Sequence, residues 1–157
     1  MIQIQKATSE HLDEIVSLWL KLMSLHKGFD EEFFADTDNS GEEYKMNLDW
    51  NLRDTSSILF IATKDNKIIG YVTADISWFR YSSYNSNNYC TLGDIMIDEN
   101  FRHLGIGKLF IAEIKKWAKS ESTNKIVLNV FSKNTKALSF FKKQGFEDNF
   151  NNLILEF

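Results

Sequence analysis

The spacing of hydrophobic residues changes along the chain between alternation and helical recurrence, which predicts a mixed α/β fold. Ile2–Lys6 alternates between apolar and polar residues, as a half-buried strand does. From Leu12 to Met23 apolar residues recur every three or four positions, and Thr8 or Ser9 can cap the helix that this spacing predicts. The other predicted helices are 42–53, 105–119 and 135–144, and the other predicted strands are 57–63, 68–78, 89–97, 125–131, 146 and 153–157.

The order of these elements is β-α-α-β-β-β-α-β-α-β-β. Consecutive antiparallel strands followed by a βαβ unit are typical of a mixed, mostly antiparallel and twisted sheet. We therefore predict about seven strands flanked by about four helices. A length of 157 residues with 43% hydrophobic residues suits a single globular domain over residues 1–157.

Composition also bears on where the chain works. No apolar run approaches the 18 or so residues that a membrane span needs, and the first residues lack the pattern of a signal peptide. Cys90 is the only cysteine, so no internal disulfide can form. No pattern of His and Asp supports Cys90 as a nucleophile, and we interpret it as a core residue. These features predict a cytoplasmic protein without membrane contact.

Charge is divided between two parts of the chain. Residues 30–54 hold nine acidic residues against two basic ones, whereas residues 102–143 hold ten basic residues against two acidic ones. A basic half suits a polyanionic ligand, and an acidic segment suits a cationic one. The pI of about 5.4 argues against nucleic acid as the partner of the basic half.

Two glycines one residue apart stand where a strand gives way to a helix, in Arg102-His-Leu-Gly105-Ile-Gly107. A third glycine that would complete a dinucleotide-binding fingerprint is missing, and a Walker loop would need a glycine at Arg102. Free N–H groups and the dipole of a helix N-terminus still favour an anion here, and a missing Cβ lets phosphate approach. A tight capping turn is the structural alternative.

The chain resembles the GNAT superfamily of acetyl-CoA-dependent N-acetyltransferases in two motifs. Asp94–Gly107 is similar to the fourth strand and pyrophosphate loop of that family, although Glu99 stands where the family usually has proline. Asn134–Ala137 followed by Phe140–Phe146 is similar to its closing motif. The resemblance implies the acyl-CoA N-acyltransferase fold, acetyl-CoA as co-substrate and no metal.

The resemblance also implies where the coenzyme lies. Pantetheine would lie between the splayed fourth and fifth strands, with backbone contacts to Ile95, Met96 and Ile97 and with Asn129 opposite. Asn134 would reach the pantetheine or a phosphate, or would cap the last helix, and the two roles are compatible. The pyrophosphate would be held by the loop residues, which are Arg102, His103, Leu104, Gly105, Ile106, Gly107 and Lys108.

Acetyl transfer requires a neutral amine, a donor for the oxyanion and a leaving thiolate. Asp94 is the acid on the fourth strand, and it either serves as base or acceptor ligand or braces the strand. The backbone N–H near Ile97 is the candidate oxyanion donor. Many relatives protonate the thiolate with a tyrosine at the position of Phe141, which has no proton to give. Phe141 is therefore interpreted as packing beside the sulfur, since a thiol of pKa about 8.5 can leave unassisted.

The acceptor site is predicted from carboxylates and aromatic rings. In the family, the region around His26, Asp30 and Glu31 lines one wall of the acceptor cleft, and the region around Trp78 and Tyr81 lines the other. Carboxylates with aromatic rings suit a cation, so we predict a small cationic amine such as a polyamine or an aminoglycoside-like molecule. The alternatives are a protein N-terminus or lysine as acceptor and a non-catalytic acyl-CoA-binding module. The same aromatic residues would also suit a homodimer interface.

Overall fold

The computed structural model of the chain describes residues 1–34, 38–78, 88–150 and 152–155. These residues form one five-stranded sheet, four α-helices and two short 3₁₀ turns. The elements in chain order are β1 (Gln3–Lys6), α1 (Leu12–Lys27), α2 (Ser40–Arg53), β2 (Ser57–Lys64), β3 (Lys67–Trp78), β4 (Asn88–Ile97), α3 (Ile106–Ser120), β5 (Ile126–Leu128) and α4 (Thr135–Lys143).

The strands lie in the order in which they occur in the chain, from β1 to β5. The first four pair antiparallel, and β5 pairs parallel with β4 after the crossover through α3. A parallel neighbour requires such a crossover, which is why the chain places a helix between β4 and β5. The predicted mixed sheet with a terminal βαβ unit is confirmed, as is the number of helices.

The number of strands is wrong in the prediction, which expected about seven. Phe146 lies outside the sheet, and its ring packs against Phe141 with the ring centroids 5.5 Å apart. Leu153, Ile154 and Leu155 belong to no strand and are between 78% and 95% exposed. A strand at the edge of a sheet needs a buried apolar face, and this apolar run buries none.

Two apolar cores lie on opposite faces of the sheet. One face packs against α1 and α2 through residues such as Ile15 and Leu48. The other packs against α3 and α4, where Phe110 and Ile114 are fully buried. Each such side chain contributes about 1.5–3 kcal/mol by leaving water. The helical spacing that predicted α1 and α3 therefore reflects the two faces of the sheet.

A β-bulge in β4 changes which side chains reach which core. Val72 pairs with Ile95 and Ala74 pairs with Leu92, so both Gly93 and Asp94 lie opposite Thr73. Because one extra residue reverses the alternation of a strand, Asp94 faces α1 and α2 although Leu92 faces α3. The Thr73 hydroxyl accepts a hydrogen bond from the Asp94 backbone N–H at 2.8 Å. A Cβ on Gly93 would lie 2.6 Å from the same hydroxyl oxygen, so glycine is required there.

Gly107 lacks a side chain because α4 packs against it. A Cβ at this position would lie 2.7 Å from Cζ of Phe140. Glycine therefore brings α3 close to α4, and phosphate binding is not needed to explain it. Gly105 is different, because a Cβ at that position would have open space around it. The prediction that a missing Cβ leaves room for a phosphate therefore concerns Gly105 and not Gly107.

The variant Gly107→Ala should be less stable than the unsubstituted protein, although alanine favours a helix by about 1 kcal/mol. Overpacking of this kind costs about 1–3 kcal/mol, and we expect the midpoint of urea unfolding to fall. Phe140→Leu makes room for the new methyl group, so the loss in the double variant should be smaller than the sum of the two single losses. Additive losses, or an unchanged midpoint in Gly107→Ala, would contradict this packing.

Candidate active site

The edge of β4 after the bulge offers backbone groups that the sheet does not use. The Asp98 N–H donates to the Ile69 carbonyl at 2.9 Å, which makes these two residues a hydrogen-bonded pair of the antiparallel ladder. Such pairs alternate, so Met96 bonds to β3 while Ile95 and Ile97 direct their N–H and C=O groups away from β3. Within the described residues, β5 pairs with β4 only opposite Cys90–Leu92. Ile95 and Ile97 therefore face the gap that opens between the two strands.

The loop that follows β4 ends in a helix N-terminus with free donors. His103 has φ of 66° and Gly105 has φ of 80°, and this left-handed backbone turns the chain into α3. Gly105 is the N-cap residue, and no side chain caps the helix in the described part of the chain. The first bond within the helix runs from the Leu109 N–H to the Gly105 carbonyl at 3.1 Å. The N–H groups of Ile106, Gly107 and Lys108 are thus available to an anion.

Charged side chains hold this loop in place at both ends. Lys21 of α1 donates to Oδ2 of Asp98 at 2.7 Å, and the other oxygen of Asp98 accepts from the Asn100 N–H at 3.1 Å. The ion pair with Lys21, and then the bonds from Asn100, keep the pKa of Asp98 below its usual value against the opposing effect of its burial. Arg102 donates from Nε to the Ile97 carbonyl at 3.2 Å and is exposed, as are His103, Leu104, Gly105 and Lys108. The loop and the first turn of α3 therefore carry two exposed cations, Arg102 and Lys108, together with the free N–H groups of the helix N-terminus.

The residues predicted across the gap lie on β5 and α4 or just beyond them. Asn129 follows β5 and is exposed. Asn134 is the N-cap of α4, and its side-chain oxygen accepts from the Ala137 N–H at 3.1 Å. Phe141 is buried, with its ring 5.1 Å from that of Phe140. The capping role of Asn134 and the packing of Phe141 are therefore both present in the structure.

Asp94 lies in a partly buried polar cluster on the α1 and α2 face. The Tyr44 hydroxyl of α2 donates to Oδ2 of Asp94 at 2.7 Å. The Tyr71 hydroxyl of β3 lies 3.3 Å from that of Tyr44. Trp19 of α1 stacks on the Tyr44 ring, with ring centroids 4.3 Å apart and planes 9° apart. Three elements thus converge on the carboxylate that the β4 bulge turns toward them.

Burial and charge act in opposite directions on the titratable groups of this cluster. Burial raises the pKa of Asp94, whereas the hydrogen bond from Tyr44 and the nearby His26 oppose the rise. Burial lowers the pKa of His26 below its model-peptide value of 6.5, and Asp94 opposes that change. Burial and the nearby Asp94 carboxylate both raise the pKa of Tyr44 and of Tyr71. Both hydroxyls therefore stay protonated at physiological pH.

Aromatic rings connect the end of α1 with the segment after β5. Phe34 lies 5.2 Å from the His26 ring and 5.6 Å from Phe131, measured between centroids. Lys133 donates to the Phe29 carbonyl at 2.9 Å, and Phe29 also contacts Phe131 across 6.4 Å. These rings form an aromatic wall from His26 of the Asp94 cluster to the β5 side of the gap. We call Phe29, Phe34 and Phe131 the aromatic wall below.

The acidic residues next to this wall have different roles. Asp30 accepts hydrogen bonds from the N–H groups of Glu32 and Phe33, at 3.2 and 3.1 Å, so it stabilises its own turn. It also lies 4.0 Å from the Lys133 ammonium. Glu31 and Glu32 are exposed. Among the described residues of this turn, Glu31 and Glu32 are thus more available to a cation than Asp30 is.

Trp78 and Tyr81, which were predicted to line the acceptor site, are not seen beside the Asp94 cluster or the aromatic wall. Trp78 ends β3, five positions from Thr73, which corresponds to about 17 Å along an extended strand. It is 66% exposed and lines an open cavity of about 670 Å³ with Asn88 and Lys119. Tyr81 lies outside the described residues. The structure therefore does not bring Trp78 together with Asp94.

Two other chemistries have little support in the described ranges. Burial raises the pKa of the Cys90 thiol to about 12, which argues against a thiolate nucleophile at neutral pH. No group of three or more His, Cys, Asp or Glu residues that could hold a metal ion occurs in the part of the chain that the structure describes.

None of the helices in the described residues combines the length and the apolar composition that crossing a bilayer requires.

Sequence reasoning missed Tyr44, Tyr71 and Trp19. Each occupies an apolar position of its helix or strand and therefore reads as a core residue. The available signal was chemical, because a buried tyrosine hydroxyl needs a hydrogen-bond partner. Tyr71 lies in the apolar run of β3, where such a partner has to come from another element.

Comparison with known proteins identifies the fold and the family. A protein of Methanocaldococcus jannaschii named as an uncharacterized N-acetyltransferase is 26% identical over 92% of this chain. The chain spans about 60% of the length of that relative. A crystal structure of a tetramutant of the BH1408 protein from Bacillus halodurans shares the fold with a TM-score of 0.90, at 18% identity, over 99% of both chains.

A structure named as aminoglycoside N-acetyltransferase AAC(6')-Iy in complex with CoA superposes with a TM-score of 0.82. It is 18% identical, and the match covers 99% of this chain and 94% of that one. The family model described as "Acetyltransferase (GNAT) family" matches residues 21–146, which include the C-terminal part of α1, all of α2, Asp94, the loop before α3 and α4. The chain belongs to the acetyltransferase (GNAT) family.

Proposed function

We propose that this chain transfers the acetyl group of acetyl-CoA to a primary amine of a small cationic molecule, by direct attack in a ternary complex. One observation carries the proposal. The same strand, β4, presents to the gap on its β5 side backbone groups that the sheet does not pair, and toward α1 and α2 a partly buried carboxylate, Asp94. A coenzyme on one side and an amine on the other would meet at the bulge.

The coenzyme would bind along the free edge of β4. The N–H groups of Ile106, Gly107 and Lys108 would hold the pyrophosphate, with Arg102 beside it. Pantetheine would extend from there along β4 as an added strand, which explains why β5 separates from β4 after Leu92. Asn129 and Asn134 would contact it from the other side of the gap. The CoA complex of the structurally similar aminoglycoside acetyltransferase supports this class of ligand.

The chemistry assigns one role to each side of β4. Asp94 would accept a proton from the ammonium, directly or through water, and the neutral nitrogen would attack the thioester carbonyl. A backbone N–H would donate to the oxyanion while the C–N bond forms. Then the C–S bond breaks, and the nitrogen, which is positively charged after the attack, gives its second proton to water to become the amide. The CoA thiolate leaves and takes a proton from water. No acidic side chain stands at Phe141 to supply that proton.

We assign the oxyanion donor to Ile95 in preference to Ile97. Both N–H groups face the gap, but Ile97 adjoins the pyrophosphate loop. Ile95 lies nearer to Asp94 than Ile97 does, by two residues or about 6.7 Å along the strand. The pantetheine has to span the distance between the loop and the reacting carbon, so the thioester belongs beside Ile95.

Charge and aromatic rings support a cationic acceptor. Asp94 supplies the buried carboxylate, the aromatic wall and Trp19 supply π faces, and Glu31 and Glu32 supply exposed negative charge. The structural relative named as an aminoglycoside acetyltransferase acts on a molecule of this class by its name. We also propose a homodimer with Trp78 at its interface, because an exposed aromatic side chain suits such a contact.

The first test concerns the coenzyme site. Gly105→Ala should weaken acetyl-CoA binding at least tenfold, because a side chain at φ of 80° strains the turn that aims the N–H groups at the phosphates. The matched control is Gly145→Ala, which has φ of 90° and equally open space around its Cβ but lies after α4. Calorimetry should show weaker binding in the first variant only. Equal affinity in both folded variants would place the coenzyme elsewhere.

The second test concerns the reaction. Release of CoA thiol should be measured with acetyl-CoA and a panel of acceptors that contains spermidine, an aminoglycoside, a simple monoamine and a peptide with a free N-terminus. Asp94→Asn should lower kcat about 100-fold or more, which is the effect expected for a lost proton acceptor, and leave acetyl-CoA affinity unchanged. Thiol release that occurs only when the peptide is the acceptor would favour a protein acetyltransferase. No release with any acceptor would favour a non-catalytic module.

The third test concerns the acidic residues. If Glu31 and Glu32 steer cations, kcat/KM for spermidine should fall more steeply with salt than that for the monoamine, since screening is stronger for the more highly charged ligand. The variant Glu31→Gln/Glu32→Gln should flatten this difference and raise KM for spermidine. The control Glu10→Gln/Glu147→Gln removes the same charge from exposed positions elsewhere. Equal salt slopes for both acceptors would rule out steering.

A further inference from the structure

We propose that Tyr44 is a positioning residue, whose hydroxyl holds the Asp94 carboxylate in the orientation that accepts a proton from the acceptor amine. This inference rests on the proposed function, because it assumes that Asp94 is the proton acceptor. It concerns a residue of α2, outside the motifs through which the chain resembles its family. One hydrogen bond, from the Tyr44 hydroxyl to Asp94, sets this orientation, and the structure fixes both of its ends.

The Asp94 end is fixed by the β4 bulge. Asp94 stands beside Gly93 opposite a single residue of β3, and its N–H bonds to the Thr73 hydroxyl at 2.8 Å. The backbone is therefore held, while the carboxylate can still rotate about its own side-chain torsions. The 2.7 Å bond from Tyr44 to Oδ2 removes that freedom. No hydrogen bond to Oδ1 is found in the described ranges, so this oxygen remains for the amine.

The Tyr44 end is fixed by packing and by a second hydroxyl. Trp19 stacks on the ring with the planes 9° apart, which sets the direction of the C–O bond. Tyr44 has one hydroxyl hydrogen, and with that hydrogen on Asp94 the 3.3 Å contact to Tyr71 needs the hydrogen of Tyr71. The Tyr71 side chain is fully buried in β3. Tyr71, Tyr44 and Asp94 thus form a directed chain of hydroxyls that ends on the carboxylate.

Electrostatics give the bond a second effect. In the described ranges, three titratable groups face Asp94: Tyr44 from α2, Tyr71 from β3 and His26 from α1. Burial raises the pKa of Asp94, and the bond from Tyr44 is the largest opposing influence, followed by His26. Both tyrosines stay neutral because burial raises the pKa of each. Loss of the Tyr44 hydroxyl should therefore raise the pKa of Asp94 further.

The test is Tyr44→Phe, which keeps the ring for stacking on Trp19 and removes only the hydroxyl. We expect kcat/KM for the best acceptor to fall about tenfold at pH 7, and the acid limb of its pH profile to move up by about one unit. The direction follows because Asp94 accepts a proton only when ionised, and its ionisation would need a higher pH. The Kd for acetyl-CoA should not change. A merely structural role would lower activity equally at every pH.

Controls separate this inference from the proposed function. Tyr71→Phe removes a hydroxyl that does not bond to Asp94 and should shift the acid limb less. In an Asp94→Asn background, Tyr44→Phe should cause no further loss, since the two residues would act as one unit. An unshifted pH profile in Tyr44→Phe, with Asp94→Asn inactive, would overturn the positioning role and leave the function standing. Full activity in Asp94→Asn would overturn the proton-acceptor assignment itself.

Discussion

The β-bulge opposite Thr73 is the constraint on which the site depends. Before the bulge, Cys90 and Leu92 face the α3 core, and the Cys90 N–H donates to the Lys125 carbonyl beside β5 at 2.8 Å. After the bulge, the Ile95 side chain faces the α3 core, and Asp94 faces α1 and α2. A regular strand would have turned the carboxylate toward α3 and left Ile95 bonded to β3. One extra residue thus separates the coenzyme edge from the carboxylate.

Each side of the bulge draws on different physical chemistry. The β5 side offers backbone donors and a helix N-terminus, which recognise a phosphate chain and amides without much regard to side chains. The α1 and α2 side uses side chains, with one buried carboxylate among aromatic rings and hydroxyls. Specificity for the acceptor therefore belongs to α1, α2 and the aromatic wall, while coenzyme recognition belongs to β4 and α3. Burial of Asp94 links the two, because a partly buried carboxylate is a stronger base than an exposed one.

The sequence predicted those parts of the molecule that leave a local pattern. Alternation and helical spacing placed four helices and the first four strands within a few residues, and the Arg102–Gly107 pattern located the loop before α3. Neither pattern reveals a bulge, whose only trace is Gly93, so the direction of Asp94 could not be derived. The predicted strand at Phe146 failed because its ring packs against Phe141 outside the sheet. The predicted strand 153–157 failed over its described residues because apolar residues such as Ile154 suit a strand but are exposed here, and residues 156 and 157 lie outside the described ranges. Tyr44 was missed because its hydroxyl bonds to a residue 50 positions away.

The most direct test of this account follows hydrogen exchange at single backbone amides of β4, with and without CoA. Ile95 and Ile97 face the gap, whereas Met96 between them already bonds to β3 and serves as an internal control. We expect CoA to slow exchange at Ile97 about tenfold or more, acetyl-CoA to slow exchange at Ile95 as well because its carbonyl lies there, and Met96 to change little with either ligand. Saturation with CoA without any slowing at Ile97 would contradict this account, since the coenzyme would then lie away from the edge that the bulge exposes.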